Sequence, residues 1–125
     1  MPVDTGRCAE LRVQVGEGDT AIAYGSGDVP VLATPRLIAL CEQASILAIG
    51  DALPPGTTSV GMRVEVSHLM PTAIGQEVEI EATLDRIEGK RLTFNVSAHD
   101  DRGLIAAGKV TRAVVDRAAF LAKTA

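Results

Sequence analysis

One stretch of the sequence, residues 34–50, repeats its apolar side chains at the spacing of an α-helix. At about 100° per residue, these side chains cover nearly the whole helical wheel and leave a narrow polar wedge at Arg36 and Gln43. The pattern predicts a helix that is buried on most sides. Glu42 lies outside the polar wedge, so its carboxylate is expected to point into apolar surroundings.

The ends of this helix carry residues that favour helix boundaries. Thr34 is predicted to be the N-cap, because its hydroxyl can accept a hydrogen bond from a free amide of the first turn. Pro35 suits the first helical position, where no amide donor is needed. Gly50 supplies the stop.

The rest of the chain is dominated by alternation of apolar and polar residues, which predicts β-strands. The alternating segments are residues 9–15, 60–68, 78–84 and 92–98. Residues 104–115 are small or apolar on both faces, so they predict a last strand that is covered on both sides. Turns at residues 88–90 and 99–103 join the last three strands.

Two segments are less regular. Residues 16–30 contain four glycines and predict a mobile loop with a short strand around residues 21–24. Because this loop comes just before the helix it is a candidate lid, and an ordinary long connection explains its composition equally well. Residues 117–123 predict a helical tail.

The order of strand, long helix and four antiparallel strands predicts an α+β fold. A single, mostly apolar helix is best buried when the antiparallel sheet wraps around it, which is the hotdog fold. The length of 125 residues and the hydrophobic content of 46% predict one domain, residues 1–125. Hotdog sheets usually join edge to edge or back to back, so a homodimer or tetramer is expected.

Composition and charge narrow the classes of function. A net charge of −4 and a pI near 5.1 argue against nucleic acid or an anionic membrane as the main partner. Cys8 and Cys41 have neither CxxC nor Cys/His spacing, so we expect no disulfide framework and no metal site. The sequence shows no signal-peptide core and no membrane-spanning apolar run, which predicts a cytoplasmic protein.

Three polar residues stand where the pattern predicts apolar ones. Glu42 is a carboxylate in apolar surroundings, which is costly unless donors reach it and therefore marks a functional candidate. His68 ends an alternating series on its apolar face, so its imidazole should point toward the helix and can exchange protons near neutral pH. Arg112 shares a strand face with Val110 and Val114, where it either binds substrate or forms an ion pair at a subunit contact.

Each candidate also has a structural explanation. Glu42 can pair with an arginine, His68 can be a satisfied core residue, and Thr34 can act only as a helix cap. The helix start still matters, because its free amides can stabilise a developing oxyanion. Cys41 could act as a nucleophile with His68 but is more typical of a small core residue, and His99 belongs to a turn.

Five segments together closely resemble the fluoroacetyl-CoA thioesterase family of hotdog proteins. They are residues 33–35 (Ala-Thr-Pro), 41–44 (Cys-Glu-Gln-Ala), 64–68 (Val-Glu-Val-Ser-His), 88–92 (Glu-Gly-Lys-Arg-Leu) and 95–100 (Asn-Val-Ser-Ala-His-Asp). The resemblance extends over about residues 29–116. It implies an enzyme that hydrolyses a small acyl-CoA to the free acid and CoA, with no cofactor apart from the CoA of the substrate.

The resemblance also implies roles for particular residues. The family's catalytic set is a threonine at the helix start, a glutamate within the helix and a histidine on the following strand, which match Thr34, Glu42 and His68. A glycine and an arginine that face the substrate match Gly61 and Arg112. One departure is clear: the namesake enzyme has phenylalanines before the helix, whereas residues 25–29 here are Gly-Ser-Gly-Asp-Val. A different acyl group is therefore expected.

On this basis, we expect Glu42 to attack the thioester carbonyl or to activate water, while His68 shuttles protons and assists the leaving thiolate. Thr34 and nearby amides would orient the acyl group and bind the oxyanion. Eight residues of helix span about 12 Å, so Thr34 and Glu42 of one chain cannot touch one reacting atom. Either two subunits share the site, or Thr34 acts at a distance through the substrate.

Two other functions fit the same fold. A non-catalytic module that binds acyl thioesters would keep the cleft without needing the carboxylate. A hotdog hydratase or dehydratase also uses a histidine and an acid, but the Asp-x-Asn-x-x-His run usual in the hydratase group is missing from this sequence.

Overall fold

The computed structural model, which describes residues 3–125, has a long helix after its first strand and four strands after that helix. The strands are β1 (Cys8–Gln14), β2 (Thr57–His68), β3 (Glu77–Glu88), β4 (Arg91–Asp100) and β5 (Gly103–Asp116), and the helices are α1 (Ala21–Tyr24), α2 (Thr34–Ile49) and α3 (Arg117–Ala122). A 3₁₀ turn, Glu17–Asp19, precedes α1. The predicted order of the main elements is confirmed, and α3 is the predicted helical tail.

The five strands form one antiparallel sheet in the order β1-β3-β4-β5-β2. Its inner face is a continuous apolar layer, in which Leu84 pairs with Phe94 and Phe94 pairs with Val110, all three fully buried. Alternation along each strand therefore puts one set of side chains in the core and the other set outside. In β5, Arg112 and Val114 also belong to the buried set, while the one residue between them is half-buried.

Helix α2 packs its buried side chains against the inner face of the sheet. The buried positions recur every three or four residues and are Leu37, Leu40, Cys41, Ala44, Ser45, Ala48 and Ile49. Full burial of a leucine side chain contributes about 1.5–3 kcal/mol, so this apolar stripe holds the helix on the sheet. The hotdog prediction, a sheet wrapped around one long helix, is confirmed.

The other side of α2 is open to solvent in the single chain. Ile46 and Leu47 are 47% and 51% exposed, and Gln43 is exposed as well. The prediction that the helix is buried on most sides is therefore wrong for one chain, because a single sheet covers only one side of a helix. Within residues 3–125, no helix combines the length and apolar character needed to span a membrane.

The segment before α2 is helical where the sequence predicted a short strand. Residues 21–24 form α1, because the hydroxyl of Thr20 accepts a hydrogen bond from the Ala23 amide and Gly25 ends the turn at φ 66°. The prediction of a strand there is wrong, since this local cap outweighs the alternation. The segment is tied at its far end, where the Ala33 amide donates to the carbonyl of Asp19 over 2.9 Å.

Candidate active site

The first candidate pair joins the start of α2 to the end of β2. Thr34 is the first residue of α2, His68 is the last residue of β2, and Oγ1 of Thr34 lies 2.8 Å from Nδ1 of His68. The N-cap of α2 is Ala33, and its end carries no side-chain capping bond. The prediction that Thr34 caps the helix is therefore wrong, because its hydroxyl bonds to the imidazole instead.

The other ring nitrogen of His68, Nε2, is a buried polar atom without a partner in the described part of the chain. Burial lowers the pKa of His68 below its ordinary value of 6.5, and the backbone of Met70 partly opposes this effect. The imidazole is thus neutral at pH 7. A buried polar atom without a partner costs about 1–3 kcal/mol, which a substrate atom bound at Nε2 would recover.

A pocket of about 330 Å³ opens beside this pair and includes Thr34 and His68 in its wall. One side of the pocket is the segment before α2, including Asp28 and Val29. The opposite side follows directly after β2 and includes Met70. The predicted lid segment therefore lines the pocket that holds two of the three predicted catalytic residues.

The second candidate pair lies farther along α2. Oε2 of Glu42 accepts a hydrogen bond of 2.9 Å from Nη1 of Arg112 on β5. The Glu42 side chain is 32% exposed, whereas that of Arg112 is only 7% exposed. Glu42 is therefore held by a donor at the edge of the core, and the carboxylate is not enclosed by apolar groups alone.

Arg112 is fixed by a second set of bonds on β2. Its Nε donates to Oγ of Ser59 over 2.9 Å, and its Nη2 donates to the carbonyl oxygen of Ser59 over 3.0 Å. Burial lowers the pKa of Arg112, while the charge of Glu42 opposes this change, and a guanidinium remains a cation in proteins. Nη1 thus bonds to the Glu42 carboxylate, while Nε and Nη2 anchor the guanidinium to Ser59.

Gly61 is the third member of this second group. A Cβ added at Gly61 would overlap Oε2 of Glu42 and would lie 3.6 Å from Nη1 of Arg112. The register of β2 against β5 shifts between Gly61 and Arg63, where β2 carries one extra residue. Glycine at this position therefore leaves the space that the carboxylate occupies.

The structure places the remaining candidates, Cys41 and His99, in different surroundings. Cys41 is fully buried, and burial raises the pKa of its thiol to about 11, so it is a core residue without the thiolate needed for nucleophilic attack. His99 lines a different pocket, shared with Glu77 and Asp101. Sequence reasoning missed Ser59, although the period of two places it on the same face of β2 as Gly61.

The two groups stay separate within one chain. No hydrogen bond in the described part of the chain links the Thr34–His68 pair to the Glu42–Arg112 pair. Eight residues of helix separate Thr34 from Glu42, a distance of about 12 Å along the axis. Each group therefore presents its polar atoms at its own place along α2.

Comparison with known proteins identifies the family of the chain. The model of the family FlK, described as fluoroacetyl-CoA-specific thioesterase, matches residues 15–118. The chain belongs to this family. The fluoroacetyl-CoA thioesterase of Streptantibioticus cattleyicolor is 39% identical over 93 residues, which are 74% of this chain and 67% of that protein.

Solved structures of the FlK family have the same fold. A structure of the fluoroacetyl-CoA thioesterase FlK superposes with a TM-score of 0.89 at 32% identity, over 98% of this chain and 95% of that chain. A Thermus thermophilus protein described as a thioesterase superfamily member gives a TM-score of 0.90 at 26% identity, over 98% of this chain and 91% of that chain. The predicted hotdog fold and the predicted acyl-CoA thioesterase activity are both confirmed.

Proposed function

We propose that this FlK-family thioesterase hydrolyses a small acyl-CoA with Thr34, Glu42 and His68 as its catalytic residues and with Gly61 and Arg112 at the substrate. The observation that carries the proposal is the hydrogen bonding and burial of the His68 ring. Its Nδ1 is bonded to Thr34, its Nε2 faces no protein partner among residues 3–125, and burial lowers its pKa. When Nδ1 carries the proton and donates it to Oγ1 of Thr34, Nε2 is a free base that can accept a proton and pass it to a leaving thiolate.

Glu42 would carry out the attack on the thioester. As a base, its carboxylate takes a proton from water while the hydroxide forms a bond to the carbonyl carbon; as a nucleophile, its oxygen forms that bond and gives a mixed anhydride that water then opens. In both routes the carbon–sulfur bond breaks, and the proton that water loses passes through Nε2 of His68 to the CoA thiolate, so His68 ends neutral as it began. Arg112 orients Glu42 for either route, and the free amides at the start of α2 bind the oxyanion.

A second copy of the chain would bring the two groups to one thioester. Strand β2 is an edge of the sheet, and exposed apolar side chains lie on it and on α2 at Met62, Ile46 and Leu47. Pairing of two such surfaces covers the open side of α2 and supplies His68 from one chain and Glu42 from the other. We therefore propose a homodimer, alone or within a tetramer, as the active form.

The acyl group is proposed to differ from fluoroacetyl. The S. cattleyicolor relative is a fluoroacetyl-CoA thioesterase, and one FlK variant structure is a complex with acetyl-CoA. Residues 25–29 here are Gly-Ser-Gly-Asp-Val, so no aromatic side chain closes this part of the pocket. We propose other small acyl-CoAs as substrates, no cofactor beyond the CoA of the substrate, and action in the cytoplasm.

Thiol release from short, branched and aromatic acyl-CoAs tests the proposal in wild type and in Glu42→Gln. Loss of the carboxylate is expected to lower kcat at least about 100-fold, while an analogue of the acyl-CoA still binds. Glu88→Gln is the matched control, because Glu88 is exposed and pairs with the exposed Arg86 at the end of β3. Acyl-CoA binding without turnover in wild type would instead indicate a binding module, and addition of water to an enoyl-CoA would indicate a hydratase.

A further inference from the structure

The pocket beside Thr34 and His68 contains one ionised side chain. That side chain is Asp28, which is exposed and lies in the segment before α2. No lysine or arginine is among the residues of the described chain that line this pocket, and the lowered pKa of His68 leaves its imidazole neutral at pH 7. The pocket therefore carries a net negative charge.

The rest of the pocket wall is small or apolar near Asp28. Val29, Leu69 and Met70 contribute exposed apolar surface, and Gly27 adds no side chain. The phosphates of CoA are anions and need positive partners, so they are repelled here. The pocket instead suits the acyl end of the substrate, which lies next to Thr34 and His68 when the thioester is in place.

We propose that Asp28 is a specificity-determining residue, and that it makes this site select acyl groups without a negative charge. The inference rests on the proposed function, because it places the acyl group in the pocket beside His68. Acyl groups that end in a methyl or an ammonium are accepted, whereas those that end in a carboxylate meet the Asp28 carboxylate at short range. Asp28 is exposed, so water screens the repulsion between two like charges, and at about 4 Å it lowers kcat/KM for the anionic substrate about fivefold or more.

Three substrates of matched shape test this inference. Butyryl-CoA, succinyl-CoA and β-alanyl-CoA place a methyl, a carboxylate and an ammonium at the same position of the acyl chain. Wild type is expected to have the lowest kcat/KM for succinyl-CoA, after subtraction of its spontaneous hydrolysis. Asp28→Asn keeps the side-chain shape without the charge and should raise the succinyl-to-butyryl ratio at least about fivefold. Higher salt should reduce the discrimination of the wild type as well.

A control variant and a binding measurement separate this inference from the proposed function. Asp101→Asn removes the same charge from the exposed turn between β4 and β5, and it should leave the ratio of kcat/KM for succinyl-CoA to that for butyryl-CoA unchanged. Binding of S-butyl-CoA and S-(3-carboxypropyl)-CoA, which cannot be hydrolysed, gives the same comparison without turnover. A charge-dependent affinity that Asp28→Asn abolishes supports the inference even if no thioester is cleaved. If wild type, Asp28→Asn and Asp101→Asn discriminate equally between the anionic and the uncharged ligand, the inference is overturned. The binding measurement decides this even if the enzyme is inactive.

Discussion

Nη1 of Arg112 lies 2.9 Å from Oε2 of Glu42, and this contact joins strand β5 to helix α2 across 70 residues of sequence. It turns two charges that would each be costly near the core into one oriented pair. The Glu42 side chain is 32% exposed, while the Arg112 side chain is almost enclosed. A buried guanidinium therefore supports a partly exposed carboxylate.

Replacement of Arg112 should affect catalysis more than binding. A lysine keeps the charge but lacks the planar fork that bonds to Glu42 and to both oxygens of Ser59. We expect Arg112→Lys to lower kcat at least about tenfold with a smaller change in KM, and to lower the free energy of unfolding by about 1–3 kcal/mol. Steady-state kinetics and urea unfolding measure the two effects. Arg63→Lys, in an exposed pair with Glu65, is the control, and an equal loss of kcat there would contradict this role.

A methyl group at position 61 should displace the Glu42 carboxylate. The Cβ of Gly61→Ala would occupy the place of Oε2, and the flexible glutamate can rotate away without unfolding the protein. We therefore expect kcat to fall about tenfold or more while the midpoint of urea unfolding changes little. The same substitution at Gly18, where an added Cβ meets nothing within 4 Å, should leave kcat unaltered. Full activity of Gly61→Ala would show that the carboxylate position is unimportant.

The pH dependence of the reaction should follow His68. Because burial lowers its pKa, the imidazole of His68 stays neutral to a lower pH than a free histidine. We therefore expect kcat/KM to be independent of pH around pH 7 and to fall only below pH 6.5. The same shift makes the neutral side chain favour the folded state above pH 6.5, and that stability is lost as the pH falls through the lowered pKa. A pH series of kcat/KM and of urea unfolding measures both. An acid limb centred above pH 6.5 would contradict the burial of this ring.

Local patterns in the sequence predict most of the fold. The period of two in β1 to β4, the small and apolar run of β5 and the helical spacing of residues 34–50 predict the sheet and α2 to within about four residues at each end. They fail at α1, where the Thr20 hydroxyl caps a turn that alternation marks as a strand. They also overstate the burial of α2. Ile46 and Leu47 are as apolar as the residues that face the sheet, so no local pattern shows that the chain leaves them exposed.

The candidate site is less accessible to sequence reasoning. The resemblance supplied Thr34, Glu42, His68, Gly61 and Arg112, and their catalytic and binding roles remain predictions. How they group depends on contacts between residues far apart in the chain, such as Thr34 with His68 and Glu42 with Arg112. Neither spacing nor composition encodes those contacts. In the sequence Asp28 is only part of a glycine-rich loop, and the fold makes it line the same pocket as His68.

Mixed dimers test the central claim most directly, namely that Glu42 of one chain and His68 of another act on one thioester. Glu42→Gln and His68→Ala should each be inactive alone. After the two variants are unfolded and refolded together, a heterodimer has one site with both residues intact, so a random mixture should recover about a quarter of wild-type activity. Subunit exchange is verified by mass on differently tagged chains. Recovery near that level supports the shared site, whereas verified heterodimers with no activity would contradict it.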